Sequence, residues 1–507
     1  LQKIAKGTGI IFIGTIIGLL LGFVGRIILI RYITQTEYGI YSLALVIISI
    51  FATISTLGLG EGSTRYIAYF RGKNEEGKVR GVISSSIKIA IIASISLAII
   101  SFFISDFISV NIFHTLELST PLKIFSFAIP FTVLINVFIS IFRGFERVDA
   151  RVYFQDILRP VLYLLFLIAV VLFGLSFLGV IYAYLASIAV TCVVFVICLM
   201  KKYPLSIRSS SSVTNPMTKE LLFFSVPLLA VSMLMMVMSW TDTLMLGYFK
   251  TPDFVGLYNA ALPLASLIPT VLVSINFLYV PIASELYAKD EKEEMKRNFA
   301  VLTKWVFLAT LPIFFILFLF PDTILNLLFG STYIGAAFAL QILVLGFFLN
   351  PVIGPSYGTL TVVGKTRFLM LSFLISAIVN IVLNIVLIPP LGIIGAAIAS
   401  ALSLALSRIL NAIKLYKDFK IHPFTKNYLK LVSLLVMFII VFDILKNLFT
   451  VTFWMFLLLS LLFLIAYGLS ILFTRSLDKE DTMMLLTIEK RLGVDLALVK
   501  KILKRFI

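Results

Sequence analysis

Charged side chains inside long apolar stretches are the residues of this sequence best placed to do chemistry. Arg26 and Arg31 follow an apolar stretch that begins near Ile10, and Lys88 lies early in the third such stretch. In a helix, Arg26 would lie about 24 Å along the axis from Ile10. A charge at that depth is costly in hydrocarbon and usually faces a cavity or a partner. Because a guanidinium matches the oxygens of a phosphate group, we expect these cations to hold an anion, although Arg31 could instead snorkel to the membrane surface.

Two further charged clusters lie at the ends of apolar stretches. Glu61 and Arg65 are four residues apart, which suits either an ion pair on one helix surface or a contact between Arg65 and a substrate. Residues 143–151 include three arginines and predict a basic connecting loop. A gate or a contact with lipid headgroups is the alternative for this loop.

A carboxylate and two amides form a second candidate site. Asp242 lies in the seventh apolar stretch, at the position that an internal repeat matches with Arg26. Asp242 would therefore either form an ion pair with Arg26 or help to bind a cation. Asn380 and Asn384 are spaced to share one helix face, and small residues follow at 395–400. Oxygen ligands of this kind suit a hard cation such as Na⁺. The alternative is that the amides join two helices by hydrogen bonds.

Other catalytic and cofactor chemistry has little support in the sequence. The cysteines, Cys192 and Cys198, share one apolar stretch, and the histidines, His114 and His422, stand alone in loops. Neither pair has the spacing of a transition-metal site or a disulfide framework. The phosphate-binding motif G-x-x-x-x-G-K-[ST] does not occur. We expect a protein that is not an enzyme and that uses neither a cofactor nor a nucleotide.

The elements that position these residues are predicted to be transmembrane helices. Hydrophobic residues make up 60% of the 507 residues, charged residues 13%, and the mean hydropathy is +1.09. A soluble core cannot hide so many apolar side chains, so the bilayer must solvate them. Each stretch approaches the roughly 20 residues that a spanning helix needs, and two longer windows should break near Gly174 and at Pro389-Pro390. The predicted fold is an all-α integral membrane protein with about fourteen transmembrane helices, at residues 8–32, 38–60, 81–105, 122–142, 154–174, 177–200, 220–248, 254–284, 300–320, 335–361, 368–388, 392–414, 430–446 and 450–474.

The distribution of basic residues predicts the orientation. The net charge is +17, and nearly all of the 42 Lys and Arg residues fall in alternate connecting segments. The opposite loops hold only Lys123, Lys250 and Lys446. This positive-inside pattern places both termini in the cytoplasm. The basic residues are not interleaved with aromatic residues on a soluble domain, so nucleic acid is not an expected partner.

The sequence repeats itself with an offset of about 215 residues. Residues 178–187 (LGVIYAYLAS) match residues 391–400 (LGIIGAAIAS) at six of ten positions, and residues 31–44 match residues 247–261. Each half holds six spans, an even number, so both halves enter the membrane from the same side. Two repeats related in this way are typical of transporters. The predicted domains are two pseudo-symmetric six-helix lobes at 1–200 and 220–415, a cytoplasmic linker at 201–219, transmembrane helices 13 and 14 at 416–474, and a cytoplasmic amphipathic tail at 475–507.

Several motifs taken together resemble a known family. They are the pattern of six, six and two spans, the segment 31–44 with its Glu-Tyr-Gly-Ile-Tyr-Ser motif, the Arg-Gly-Phe-Glu-Arg loop at 143–147, and the Asn380/Asn384 pair. The sequence is similar in these features to polysaccharide flippases of the multidrug/oligosaccharidyl-lipid/polysaccharide (MOP) exporter superfamily. The resemblance covers nearly the whole chain. It implies two lobes in a V around a cationic cavity, located in a prokaryotic cell membrane.

The resemblance also implies a substrate and roles for individual residues. The substrate would be a polyprenyl-(pyro)phosphate-linked oligosaccharide, moved from the inner to the outer leaflet. The protein would contact membrane lipids and could work as a monomer. Arg26 fits the cavity arginine of the family on span 1. The related lipid II flippases hold sodium with residues of spans 7, 11 and 12. The matching positions here are Asp242, Asn380, Asn384, the carbonyl of Ala396 and the hydroxyl of Ser400. Because Asn384 stands where those relatives have Asp, cation binding should be weaker, and the coupling ion is Na⁺ or H⁺.

Two rival functions have different requirements. A drug/cation antiporter of the same superfamily needs carboxylates in the amino-terminal lobe, whereas spans 1 to 6 are expected to lack a mid-membrane Asp or Glu. A membrane glycosyltransferase or ligase needs a general base or metal ligands on a sizeable outer loop. Only residues 106–121 offer such room, with Asp106, His114 and Glu117.

Overall fold

The computed structural model describes residues 2–147, 149–202, 214–424, 426–448 and 452–473, and every regular element among them is helical. By its internal contacts the chain divides into an amino-terminal unit, Leu1–Gly256, and a carboxy-terminal unit, Leu257–Ile507. Most of the predicted linker and the whole predicted amphipathic tail at 475–507 lie outside the described residues. The predicted domain boundaries therefore stay predictions.

The helices of the amino-terminal unit are α1 (Gln2–Tyr32), α2 (Gln35–Ser55), α3 (Leu59–Gly72), α4 (Glu76–Phe107), α5 (Ser119–Ser126), α6 (Ala128–Gly144), α7 (Asp149–Arg151), α8 (Arg159–Leu172), α9 (Phe177–Lys202) and α10 (Thr214–Phe249). A π-helical segment, Val152–Leu158, joins α7 to α8. The chain passes into the second unit within α11. The remaining helices are α11 (Pro252–Ala265), α12 (Leu267–Ala288), α13 (Lys292–Leu319), α14 (Pro321–Phe329), α15 (Ala337–Ile353), α16 (Ser356–Val362), α17 (Thr366–Leu391), α18 (Ile393–Phe419), α19 (Lys426–Leu448) and α20 (Phe453–Phe473).

The predicted membrane architecture is confirmed. In the described part of the chain, 13 helical segments are long and apolar enough to span a bilayer, or 14 if the α5–α6 pair, bent by 44°, is counted as one span. Each predicted span overlaps one of these segments. Many large apolar side chains on the helices are exposed, including Leu172, Phe173 and Phe223. Since water would not tolerate so much apolar surface, lipid must cover it.

Local sequence signals set several helix boundaries. Thr34 caps α2 and forms a capping box with Glu37, so two backbone N–H groups are satisfied where α1 turns into α2. Gly174 adopts a φ of +60° between α8 and α9, at the predicted break. The break predicted at Pro389-Pro390 is wrong, because α17 continues through both prolines to Leu391. The chain turns instead at Gly392, whose φ of +57° favours glycine.

The helix α10 packs on α2, α3 and α4, and for this reason it belongs to the amino-terminal unit. Glycines permit this close approach of α10 to its neighbouring helices. A Cβ atom on Gly58 would lie 2.0 Å from the carbonyl oxygen of Ser225, and one on Gly62 would collide with the Ser225 hydroxyl. Gly39 of α2 similarly lies against the backbone of Pro252. Larger residues at these positions would force the helices apart.

In the carboxy-terminal unit, α19 packs on α13, and an aromatic stack ties α20 to α13 as well. Phe315 stacks on Phe463 with ring centroids 3.5 Å apart, and the hydroxyl of Tyr467 donates to the carbonyl of Leu308 at 2.8 Å. Tyr428 donates to the carbonyl of Val352 at 2.9 Å. The last two spans are therefore anchored within this unit by buried contacts.

Candidate functional site

Arg26 lies on α1, one residue after a glycine that lets Tyr163 of α8 pack against the helix. The arginine is half-buried, and its charge acts on the hydroxyls of Tyr38 and Tyr163. Among the described residues Arg26 forms no ion pair and no hydrogen bond. The ion pair with Asp242, one of the two interpretations of the sequence, is therefore absent. A half-buried cation without a carboxylate is suited to an anionic ligand.

Tyrosines from three helices converge beside Arg26. We call Tyr38, Tyr41, Tyr163 and Tyr184 the tyrosine cluster. The hydroxyls of Tyr41 and Tyr163 are 3.2 Å apart. The ring of Tyr184 lies edge-on to both, with centroid distances of 6.1 Å to Tyr41 and 5.8 Å to Tyr163. Tyr38 and Tyr41 are buried, whereas Tyr163 and Tyr184 are partly exposed and offer a hydroxyl group and an apolar ring face next to a positive charge.

The structure adds Arg159, which the sequence analysis missed, to this site. Its Nη2 donates to the hydroxyl of Tyr184 at 2.7 Å, and its guanidinium lies 5.4 Å from the centre of the same ring. The spanning helical segment begins at Asp149 rather than at residue 154. Arg159 therefore lies about 15 Å along the axis from the start of this segment, and it also falls within the predicted span 154–174. The available signal in the sequence was Pro160, because proline is frequent in the first turn of a helix and Arg159 directly precedes it.

Asp156 is a largely buried carboxylate near the start of the fifth spanning segment. It lies within the spanning segment Asp149–Leu172, and its side chain is only 14% exposed. Thr15 of α1 donates to its carboxylate at 3.3 Å, and Arg151 lies 4.0 Å away. Gly18 allows α1 to approach, because a Cβ atom there would lie 2.3 Å from the carbonyl oxygen of Asp156. Asp156 lies about 10 Å along the axis from the start of the segment, so the expectation that spans 1 to 6 lack a mid-membrane Asp or Glu stays a prediction.

The other predicted substrate ligands are more dispersed. Arg65 does not pair with Glu61; its guanidinium lies 4.1 Å from the centre of the Phe224 ring. Glu61 instead pairs with Arg143 at 2.8 Å. Lys88 and Arg31 are exposed side chains on α4 and α1. Of the four predicted substrate ligands, only Arg26 lies beside the tyrosine cluster. Roles for Arg31, Lys88 and Arg65 stay predictions.

The loop around Arg143 is structural in its contacts. Besides pairing with Glu61, Arg143 donates to the Thr64 hydroxyl at 3.1 Å and to the Gly60 carbonyl at 3.3 Å. In this geometry the arginine holds the end of α6 against α3.

The predicted cation ligands lie in two units. Asp242 is 5% exposed on α10 in the amino-terminal unit, and the others lie on α17 and α18. There the Nδ2 of Asn384 donates to Oδ1 of Asn380 at 3.1 Å, and the Nδ2 of Asn380 donates to the Ser403 hydroxyl at 3.4 Å. Ser403 donates to the backbone carbonyl of Ser400 at 3.1 Å. Of these three bonds, the one between Asn380 and Ser403 joins α17 to α18, so at least one of the two amides helps to hold the helices together. A cation site with Asp242, Asn380, Asn384, Ala396 and Ser400 stays a prediction.

Comparison with known proteins assigns the family. Residues 4–287 match the family model described as polysaccharide biosynthesis protein, which is more than half of the chain, and residues 227–386 match the MatE model. The chain belongs to the polysaccharide biosynthesis protein family and is a flippase-type transporter of the MOP exporter superfamily. The resemblance seen in the sequence is thereby confirmed.

Three curated relatives match this chain, two of them over most of its length and one over about a third. An uncharacterized membrane protein of Methanocaldococcus jannaschii is 21% identical over 420 residues, covering 79% of this chain and 81% of the relative. Stage V sporulation protein B of Bacillus subtilis is 22% identical over 454 residues, covering 84% and 86%. A probable low-salt glycan biosynthesis flippase of Haloferax volcanii is 26% identical over 174 residues, covering 34% and 37%.

Solved structures share the fold. The lipid II flippase MurJ, in an inward closed conformation, matches with a TM-score of 0.71 and 18% identity, over 92% of this chain and 99% of that structure. An inward-facing multidrug resistance transporter of the MATE family and MOP superfamily matches with a TM-score of 0.63 and 16% identity, over 83% and 95%. At these identities the likeness defines the architecture and not the substrate.

Proposed function

We propose that this protein moves a polyprenyl-(pyro)phosphate-linked oligosaccharide from the inner to the outer leaflet by alternating access, for the assembly of a cell-surface glycan. The observation that carries this proposal is Arg26, a half-buried cation in a membrane span with no carboxylate partner among the described residues. An anionic headgroup would supply the missing counter-charge. The family membership supports the class of transporter, and the probable glycan flippase of Haloferax volcanii supports the class of substrate.

The energetics of flipping explain why such a site is needed. The apolar tail of the carrier can stay in lipid, but the pyrophosphate and the sugars cannot cross hydrocarbon unaccompanied, because each unsatisfied polar group costs several kcal/mol. Arg26 and Arg159 would bind phosphate oxygens, and the tyrosine cluster would exchange hydrogen bonds with sugar hydroxyls. Conformations open to either side would then present the headgroup to each leaflet in turn.

We further infer that translocation is coupled to Na⁺ or H⁺ through Asp242 and the Asn380/Asn384 pair, and that both termini are cytoplasmic. The burial of Asp242 and of both amides supports the first inference, since a partly dehydrated cation needs oxygen ligands away from water. The asymmetry of basic residues supports the second. A coupling ion would supply directionality without a nucleotide.

A cation/drug antiporter is the second candidate, and Asp156 favours it. The carboxylate of Asp156 is a largely buried acid in the amino-terminal unit, where such antiporters need one. Arg151 lies 4.0 Å from this carboxylate and the Thr15 hydroxyl donates to it, so a transported cation would have to compete with Arg151.

A transport assay with two substrates distinguishes the candidates. Proteoliposomes would carry either a fluorescent polyprenyl-pyrophosphate oligosaccharide or a cationic dye, under identical ion gradients. Headgroup translocation of the lipid-linked sugar, without export of the dye, is the expected result. Export of the dye without translocation of the sugar would overturn the proposal and establish the antiporter.

A further inference from the structure

A chain of three hydrogen bonds runs through the interface of α17 and α18 in the carboxy-terminal unit. It begins at the Asn384 amide, passes through Asn380 and the Ser403 hydroxyl, and ends at the backbone carbonyl of Ser400. All four residues are buried. Ser403 lies outside the predicted set of cation ligands, yet it contacts that set from α18 by accepting from the Nδ2 of Asn380 at 3.4 Å.

The hydrogen bonds of this chain all run in one direction. The Ser403 hydroxyl has a single hydrogen, which it donates to the Ser400 carbonyl at 3.1 Å, so toward Asn380 its oxygen can only accept. The Asn380 amide therefore turns its NH₂ group to Ser403 and its Oδ1 to Asn384. The Nδ2 of Asn384 donates to this Oδ1 at 3.1 Å. The oxygen of the Asn384 amide thus forms the accepting end of the chain.

The direction of the chain decides which end of the Asn384 amide can meet a cation. An amide presents either an oxygen or an NH₂ group, depending on how it is turned, and only the oxygen can coordinate a metal cation. If Asn380 turned over, Asn384 would have to turn over with it. Hydrogen bonds aligned in a chain also polarise one another. The polarisation increases the negative charge on the accepting oxygen, which improves a neutral ligand.

We propose that Ser403 is a positioning residue for the cation site, and that it orients both amides so that the oxygen of Asn384 faces a Na⁺ ion. Ser403 itself does not touch the ion. This inference rests on the proposed coupling role of the Asn380/Asn384 pair. It selects Na⁺ rather than H⁺, because an amide oxygen coordinates a metal ion but does not titrate near neutral pH.

The sodium dependence of thermal stability tests this role without a transport assay. The purified full-length protein would be melted while Na⁺ replaces choline at constant ionic strength, and the Na⁺ concentration of half-maximal stabilisation would be compared between variants. Ser403→Ala should raise this concentration about tenfold, since losing an outer group that orients a ligand weakens metal binding by at least that order. Ser403→Thr keeps the hydroxyl and should restore most of the wild-type response.

Ser407→Ala is the matched control. Ser407 is a buried serine one helical turn further along α18, and its hydroxyl has no hydrogen-bond partner among the described residues. Beyond it, the Ser372 hydroxyl donates to Oδ1 of Asn411 at 3.0 Å and joins the same two helices. Neither alanine variant should therefore separate α17 from α18. Ser407→Ala should keep the wild-type response to Na⁺.

A second background separates positioning from packing. Asn384→Asp replaces the amide by a carboxylate, which presents oxygen whichever way it is turned. Adding Ser403→Ala to Asn384→Asp should change the Na⁺ response much less than in the wild-type background, because no amide remains to be oriented at residue 384. A role in packing alone would give the same loss in both backgrounds.

Three further outcomes would overturn this inference. They are a wild type whose melting does not respond to Na⁺, a Ser403→Ala variant that responds like wild type, and an equal loss in Ser403→Ala and Ser407→Ala. Failure of the proposed function is distinguishable from these. If wild type did not translocate lipid-linked sugar but bound Na⁺ in a Ser403-dependent manner, the positioning role would stand while the transport proposal failed.

Discussion

The guanidinium of Arg159 both donates a hydrogen bond to the Tyr184 hydroxyl, at 2.7 Å, and lies over the ring of that tyrosine, 5.4 Å from its centre. The two contacts orient the arginine on α8 and the tyrosine on α9 with respect to each other. Tyr184 in turn packs edge-on to Tyr41 and Tyr163, beside Arg26. One arginine is therefore held by an aromatic partner and the other is left open to a ligand.

This arrangement predicts different effects for the two members of the pair. Tyr184→Phe should lower the translocation rate of a lipid-linked sugar only severalfold, because the ring remains beneath the guanidinium while one hydrogen bond is lost. Arg159→Leu should lower it by tenfold or more, because a cation at the site disappears. Initial rates in proteoliposomes would measure both. Equal rates for Arg159→Leu and wild type would restrict Arg159 to a structural role.

The contact between Glu61 and Arg143 predicts a small effect on stability. The two side chains are 65% and 39% exposed, so water screens their attraction. A double-mutant cycle with Glu61→Gln and Arg143→Gln, followed by thermal unfolding in detergent, should give a coupling of about 0.2–1 kcal/mol. The single change Arg143→Gln should cost more than the coupling, because the contacts with Thr64 and Gly60 are lost too. A cycle with Glu61 and Arg65 is the control, and a larger coupling there would contradict the observed pairing.

Close approach at Gly39 predicts a much larger effect. A Cβ atom on Gly39 would lie 1.9 Å from the carbonyl oxygen of Pro252, so backbone must move to accommodate it. Gly39→Ala should destabilise the protein by about 1–3 kcal/mol. Gly77 on α4 has no atom within 4 Å of the same position, and Gly77→Ala should be neutral or slightly stabilising. Thermal unfolding of the two variants side by side checks this, and equal stabilities would contradict the packing of α2 on the start of α11.

The predicted cation site has its own test. Asn384→Asp places a second carboxylate in the predicted ligand set and should strengthen the dependence of transport on a Na⁺ gradient, since ligand charge raises cation affinity. Asn411→Asp makes the same chemical change at a buried amide of α18 that lies outside the predicted set. Transport with Na⁺ or choline outside would be compared for both. A matching response of the two variants would remove Asn384 from the site.

The membrane architecture was predictable because hydrophobic length is a one-dimensional property. Gly174 was placed correctly for a similar reason, since a glycine between two apolar stretches favours a turn. Helix starts are less well determined: α7 and the π-helical segment extend the fifth span to Asp149. Asp156 and Arg159 already lie within the predicted span 154–174, and the extension places both of them further from the start of the segment.

Partners across helices were not predictable from spacing. The separation of Glu61 and Arg65 suits a pair on one helix, yet α6 delivers Arg143 to Glu61 from 82 residues away. Arg26 was identified because depth within one helix is a local quantity.

The central claim is that Arg26 holds an anionic headgroup. Its most direct test is the initial rate of headgroup translocation of a fluorescent polyprenyl-pyrophosphate oligosaccharide in proteoliposomes, for wild type, Arg26→Ala and Arg26→Lys, with matched insertion and thermal stability. We predict a loss of tenfold or more for Arg26→Ala and partial retention for Arg26→Lys, because lysine keeps the charge without the bidentate fork. A rate for Arg26→Ala equal to that of wild type would contradict the account.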